Sequence, residues 1–168
     1  MRLALLLPLA LAMPASAQQS PDFPANRSYI VQLTSRQADS GMGDYLVPPL
    51  TKAMKKAGLR YRGDAGAEFV ATVETGSDVG RWYGSGQDRN WLYQRFVTVG
   101  LSPASVDVEP EGKLSPSFGV TVLLTTPDED RVDELECLIA LATRELAARY
   151  RPTGKVKVDG SGCARKPD

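Results

Sequence analysis

"FGVTVLLTTPDEDRVDELECLIALATRELAARY", Phe118 to Tyr150, changes its period once, and that change decides the fold. Phe118 to Thr125 is the most apolar strand-like run in the chain, which predicts a central strand. Beyond it, Val132, Leu135, Ile139, Ala142, Leu146 and Tyr150 recur at steps of three and four and form one apolar helical stripe. Thr126 is the expected N-cap, Pro127 the first helical residue and Glu129 the capping-box partner. Pro152 and Gly154 end the helix. A strand followed by a one-sided helix calls for a sheet on which that stripe can lie.

Upstream, "SYIVQLTS" (Ser28 to Ser35) and "EFVATVET" (Glu68 to Thr75) alternate as strands, and "LYQRFVTVGL" (Leu92 to Leu101) is a third run of strand formers. Between the first two, "PPLTKAMKKAG" places Leu50, Ala53, Met54 and Ala57 on one helical stripe. Its paired prolines fit a first turn, Gly58 a left-handed stop, and Leu59 a residue folding back on the last turn. Ser102 to Ser117 is a turn-rich excursion with room for a short hairpin around Pro110-Glu111-Gly112. The order β-α-β-β-β-α predicts an α+β two-layer sandwich, a four-stranded mixed sheet with two helices on one face. That domain spans residues 28–152, preceded by a flexible lead-in at 18–27 and followed by a tail at 153–168.

The first seventeen residues read as a secretory leader. Met1-Arg2 is a positive start, Leu3 to Met13 an apolar run, and Ala15 and Ala17 supply the small residues of a cleavage site. Pro8 and Pro14 oppose a buried helix there, and the run is too short to span a bilayer. No cysteine follows the cleavage point to carry a lipid, so no stable membrane anchor is expected. The expected location is periplasmic or secreted.

Composition excludes several chemistries. The chain has no histidine, which removes the usual member of Ser-His-Asp and Cys-His catalysis and of most zinc sites. Lys+Arg and Asp+Glu number 20 each, a balance that argues against nucleic acid and anionic membranes. The Gly84-Ser85-Gly86 step lies between aromatic strands rather than before a helix, so it is a poor phosphate cradle. No cofactor and no metal are expected. Paired carboxylates stay conceivable, but the acids are dispersed: Glu68 and Glu74 in one strand, Asp107, Glu109 and Glu111 in the excursion, Asp128 to Glu136 where they favour a helix dipole.

Cys137 and Cys163 are the two cysteines, and in an exported chain they are expected to pair. On the helical wheel Cys137 lies opposite the core stripe, beside the lesser apolar strip of Leu141 and Ala148. "GKVKVDGSGC" is then expected to fold back along that outer helix face.

"DVGRWYGSGQDRNWLYQR", Asp78 to Arg95, holds both tryptophans. Read simply, it is a hairpin with aromatic residues facing each other and Arg81, Arg89 and Arg95 stacking on them. Tryptophan, tyrosine and arginine are also the residues enriched at binding hot spots. Arg81, Trp82, Tyr83, Arg89 and Trp91 are therefore the candidate partner-binding residues, with Trp91 expected to be structural and Trp82 accessible.

"LTKAMKKAGLRY" leading into "AEFVATVET" and an aromatic, Gly-rich hairpin resembles small bacterial envelope proteins, many of them lipoproteins. The element order from Tyr29 to Tyr150 is also similar to that of the accessory lipoprotein of lipopolysaccharide assembly. The resemblance implies a non-enzymatic binding or accessory protein whose partner is an envelope protein or a cell-wall glycan. The competing expectation is a glycan hydrolase working through two carboxylates. Mass spectrometry of the exported protein should find Gln18, free or cyclised, at the N-terminus. An intact Met1 in the mature fraction overturns that cleavage site.

Overall fold

The computed structural model describes residues 18–63, 66–108, 113–128 and 130–164. The expected leader at residues 1–17, the proposed Pro110–Gly112 turn and Glu129 lie outside the described residues. In chain order the elements are β1 (Ser28–Gln32), α1 (Ser35–Asp39), α2 (Gly43–Lys56), β2 (Arg60–Tyr61) and β3 (Phe69–Ser77). They continue with β4 (Arg81–Tyr83), β5 (Asn90–Pro103), β6 (Phe118–Thr126), α3 (Val132–Arg149) and β7 (Gly154–Asp159).

The sheet is mixed and larger than predicted. Its order is β2-β1-β3-β5-β6-β7, with β4 paired to β5, making seven strands rather than four. The four expected strands are its centre: β1 and β3 run parallel, and β5 is antiparallel to both β3 and β6. Two of the additions are very short. β2 is a two-residue strand with both residues exposed, too brief for any alternation to register.

The third addition is a correction. Gly154–Asp159 does not lie along the outer face of the last helix but pairs in parallel with β6 at the sheet edge. Val156 lies opposite Val120 and Val158 opposite Val122, which extends the rows Val73–Val99–Val120 and Thr75–Val97–Val122 by one strand each. The lysine–valine alternation has the period of a sheet, and the open edge of β6 offers backbone donors and acceptors that a helix face lacks. Lys155 and Lys157 then decorate the new edge strand, a common protection against further strand pairing.

The core lies between the sheet and the helices. Val97, Val99, Leu101, Phe118, Val120, Val122 and Leu124 are buried on one sheet face, against Leu46, Leu50 and Met54 of α2 and Leu135, Leu138, Ile139 and Leu146 of α3. On the other face, Pro116 of the excursion fits over Gly100, where a Cβ would stand 2.3 Å from its ring. Val108 and Leu114 of the excursion are buried as well.

Both long helices start elsewhere than expected. α2 begins at Gly43, so Pro48 and Pro49 lie inside it rather than in its first turn. Interior proline costs on the order of 3 kcal/mol against alanine. Leu46 and Leu50, fully buried on either side of the pair, contribute roughly 1.5–3 kcal/mol each and hold the helix through it. Its C-terminus is as expected: Gly58 has φ +87°, and the Leu59 N–H donates to Met54 O at 3.0 Å with Leu59 buried.

α3 begins at Val132, with Arg131 at the N-cap position and no side-chain cap. Thr126 is instead the last residue of β6, and its hydroxyl donates to Glu134 Oε2 at 2.9 Å. The strand runs on because β5 is long enough to pair with it as far as Tyr93. Val132 is consequently exposed, while Glu134, expected to be a solvated dipole acid, is buried.

The lead-in is anchored rather than flexible. Gln19 Nε2 donates to Ala57 O at 2.8 Å, and Ser20 Oγ to Tyr150 O at 2.7 Å. Phe23 is buried edge-on against Tyr150, with ring centroids 5.8 Å apart. The aromatic contact and the carbonyls at the two helix ends give this segment partners invisible in a polar, proline-rich sequence.

Cys137 and Cys163 form a disulfide, linking α3 to the residues just beyond β7. Replacing both with serine should lower the unfolding free energy by about 3 kcal/mol on the chain-entropy account. Hydrogen exchange should accelerate first in Gly154–Asp159. Unchanged protection of β7 in the double variant would show that strand pairing alone holds it.

Candidate functional site

The aromatic hairpin is built on one carboxylate. Asp78 follows β3, and its Oδ1 accepts from the N–H groups of Gly80 (3.1 Å) and Gln94 (2.8 Å). Its Oδ2 accepts from Arg81 Nη2 at 2.8 Å, and its own N–H donates to Gln94 O at 3.0 Å. Asp78 thus ties the bend between β3 and β4 to β5 and sends β4 back along the same strand. The hydrogen bond from the Gln94 backbone, then that from Arg81, hold its carboxyl below the ordinary 3.8.

Glycines admit the rings. Gly80 has φ +74°, and a Cβ there would stand 2.6 Å from Trp91 Nε1 and 3.0 Å from Tyr93 Cε1. Gly84, at φ +89°, lets the turn close on Asp88 O, which a Cβ would meet at 2.3 Å. Across the ladder Trp82 lies directly opposite Trp91, and Tyr83 opposite Asn90. The indoles meet edge to face at 5.4 Å and 79°, and Trp91 meets Tyr93 likewise at 6.5 Å and 82°. Arg89 lies over Trp82, its guanidinium carbon 5.2 Å from the ring centroid.

Trp82 is 56% exposed and Trp91 39%. Trp91 is therefore not the buried brace expected of a residue inside a strand. β6 ends its pairing at Tyr93, so the hairpin tip runs past it and Trp91 is covered only in part, by Gly80, Tyr93 and Trp82. The arginines also divide. Arg89 stacks, Arg81 binds Asp78, and Arg95 is buried with Nη1 donating to Arg131 O at 2.6 Å. Arg95 shares the helix side of β5 with Trp91 and Tyr93, but it lies opposite Leu124, where β6 and the start of α3 still cover the strand. Arg81, Trp82, Tyr83, Arg89 and Trp91 thus share one hairpin with Tyr93, and Asp78 and Gly80 position it, a role the sequence pattern did not assign to them.

Three further carboxylates, Glu68, Asp128 and Asp159, hold local turns and strand ends. Glu68 accepts from Ser28 N–H at 3.1 Å, from its hydroxyl at 3.2 Å and from Arg27 at 2.6 Å, pinning β1 to the start of β3. Asp159 accepts from the Ser161 hydroxyl at 2.6 Å, and Asp128 from the Asp130 N–H at 2.9 Å. Hydrogen bonds lower the pKa of each: chiefly from the Ser28 backbone at Glu68, the Ser161 side chain at Asp159 and the Asp130 backbone at Asp128. Among the described residues no group of three His, Cys, Asp or Glu side chains is placed to hold a metal ion. No described helix is long and apolar enough to cross a membrane.

No protein-family model matches the chain, and no curated protein sequence does. Solved structures similar to it include a minor lipoprotein from Acinetobacter baumannii, 17% identical with a TM-score of 0.38, over 73% of this chain and 87% of that one. Another is the PelC dodecamer from Paraburkholderia phytofirmans, 16% identical with a TM-score of 0.39, over 78% of this chain and 94% of that one. The likeness to a lipoprotein is weak, and at such identity and TM-score neither structure assigns a ligand or a partner to this chain.

Asp78 gives the hairpin a pH dependence of definite sign. Its folded-state pKa lies below the unfolded one, so its contribution is complete above the unfolded value and is lost as pH falls through the folded value. Tryptophan emission should be flat from neutral pH to about 4 and change below it. Asp78→Ala should show the acid-type emission already at neutral pH, with the far-ultraviolet spectrum unchanged. An acid transition that survives in Asp78→Ala assigns it to another group.

Proposed function

We propose that the chain is an exported, non-enzymatic binding or accessory protein of the bacterial envelope, holding a protein or cell-wall glycan on its tryptophan hairpin. The observation that carries this reading is the pair of half-exposed indoles, opposed across a ladder that Asp78 fixes, with Arg89 at their rim. A pre-ordered aromatic surface gives apolar contact to a partner at little cost in side-chain entropy. The secretory-type leader and the disulfide support an oxidising compartment.

Four of the described carboxylates favour binding over hydrolysis. A general acid needs a pKa raised toward neutrality, and the hydrogen-bonded acids Glu68, Asp78, Asp128 and Asp159 shift the other way.

Titration of intrinsic tryptophan fluorescence with soluble peptidoglycan fragments, alongside cross-linking to envelope proteins, tests the reading. Trp82→Ala should abolish the response or the cross-link while lowering the melting temperature by only a few degrees, since the ring is already half exposed. Binding that survives in Trp82→Ala and Trp91→Ala alike removes the hairpin from the function. Release of reducing ends from the glycan would favour the hydrolase.

A further inference from the structure

The outer face of α3 carries an arrangement that the hairpin reading does not use. Together with α2 it borders a shallow groove of about 780 Å³, floored by Ala53 and Ala57 and lined on the α3 side by Glu136, Cys137, Ala140 and Leu141. Ala140 is exposed at the middle of this stripe, and Leu141 is partly buried against the outside of the core. Side chains this small allow another helix to approach at the 8–10 Å axial distance of packed helices.

The charges along the stripe are self-complementary. Glu136 and Arg144 stand four residues on either side of Ala140, about 6 Å each way along the helix. Glu136 makes no ion pair among the described residues, and Arg144 has only its neighbour Glu145, at 3.3 Å, which also holds Arg149 at 2.9 Å. Two such helices packed antiparallel about Ala140 bring each Glu136 to the other's Arg144. Packed parallel in register, they would set acid on acid and base on base. Antiparallel pairing of identical stripes is what a two-fold axis produces.

We infer that the outer stripe of α3 is a homodimer interface, on which a second copy of this chain packs its own α3 antiparallel with the two Ala140 residues at the crossing. The interface is independent of the hairpin, because none of its residues lies between Asp78 and Arg95. It also gives Leu141 and Ala148, the lesser apolar strip of the helix, a surface to pack against.

Sedimentation velocity of the exported chain over a dilution series, up to concentrations on the order of 100 μM, reads the association directly. The wild type should show a monomer–dimer equilibrium. Glu136→Arg and Arg144→Glu each place like charges at two symmetric sites and should weaken it on the order of tenfold or more. The double variant Glu136→Arg/Arg144→Glu exchanges the charges within one chain and should restore the dimer, which a damaged fold would not do. Trp82→Ala should leave association unchanged, so failure of the hairpin reading and failure of the dimer are separable. A wild type that stays monomeric, a dimer indifferent to both single variants, or a dimer lost in Trp82→Ala overturns the inference.

Discussion

The pairing of β5 is the constraint on which the rest of the structure depends. Over its inner part this strand has β3 on one side and β6 on the other, so its alternation sets which face of all three is buried. Val97, Val99 and Leu101 point to the helices, and each draws its cross-strand partners to the same side. A slip of one residue would expose that set and bury Gln94, Phe96 and Thr98 instead. The same alternation carries Tyr93 and Trp91 to the helix side at the far end of the strand, where β6 has stopped. The hairpin is thus the overhang of the strand that organises the core.

Where β5 leaves the core, the apolar pattern gives way to a polar cluster. Arg95, 6% exposed, donates to Arg131 O, while Glu134, 2% exposed, accepts from the Thr126 hydroxyl and faces Arg131 Nη1 at 3.4 Å. Buried charges of this kind are held by their partners and are poor sources of net stability. Their effect is positional: they fix the first turn of α3, which has no side-chain N-cap, against the ends of β5 and β6.

Much of this was legible in the sequence, and the exceptions share a physical cause. The stripe of α3, the Gly58 stop and the four central strands follow from local periodicity, and the cysteine pair was expected from there being two cysteines in a chain read as exported. What was missed depends on neighbours distant in sequence. Thr126 looks like a cap until β5 proves long enough to keep it in a strand, and Glu134 looks solvated until Thr126 and Arg131 reach it. Val156 and Val158 showed the right period, but whether they covered a helix or extended a sheet was decided by the free edge of β6. Pro48 and Pro49 read as a helix start by local rules, which the burial of Leu46 and Leu50 overrides. In the hairpin, Trp82, Trp91 and the turn glycines were evident from composition, whereas the roles of Asp78 and Gly80 appear only in the register of β4 on β5.

The exposure of the two indoles follows from the same geometry. Beyond Tyr93, β5 has β4 on one side and, among the described residues, no strand on the other. The rings there must cover one another. An edge-to-face pair adds roughly 0.5–1.5 kcal/mol beyond the area it buries, and the Trp82–Trp91 and Trp91–Tyr93 contacts both take that form. Such packing uses ring edges against faces and leaves indole surface open to solvent, bounded by Arg89 over Trp82. Bracing and display are therefore not competing roles for Trp82 and Trp91. The edge-to-face contact that closes the hairpin is also what holds an apolar surface rigid in water.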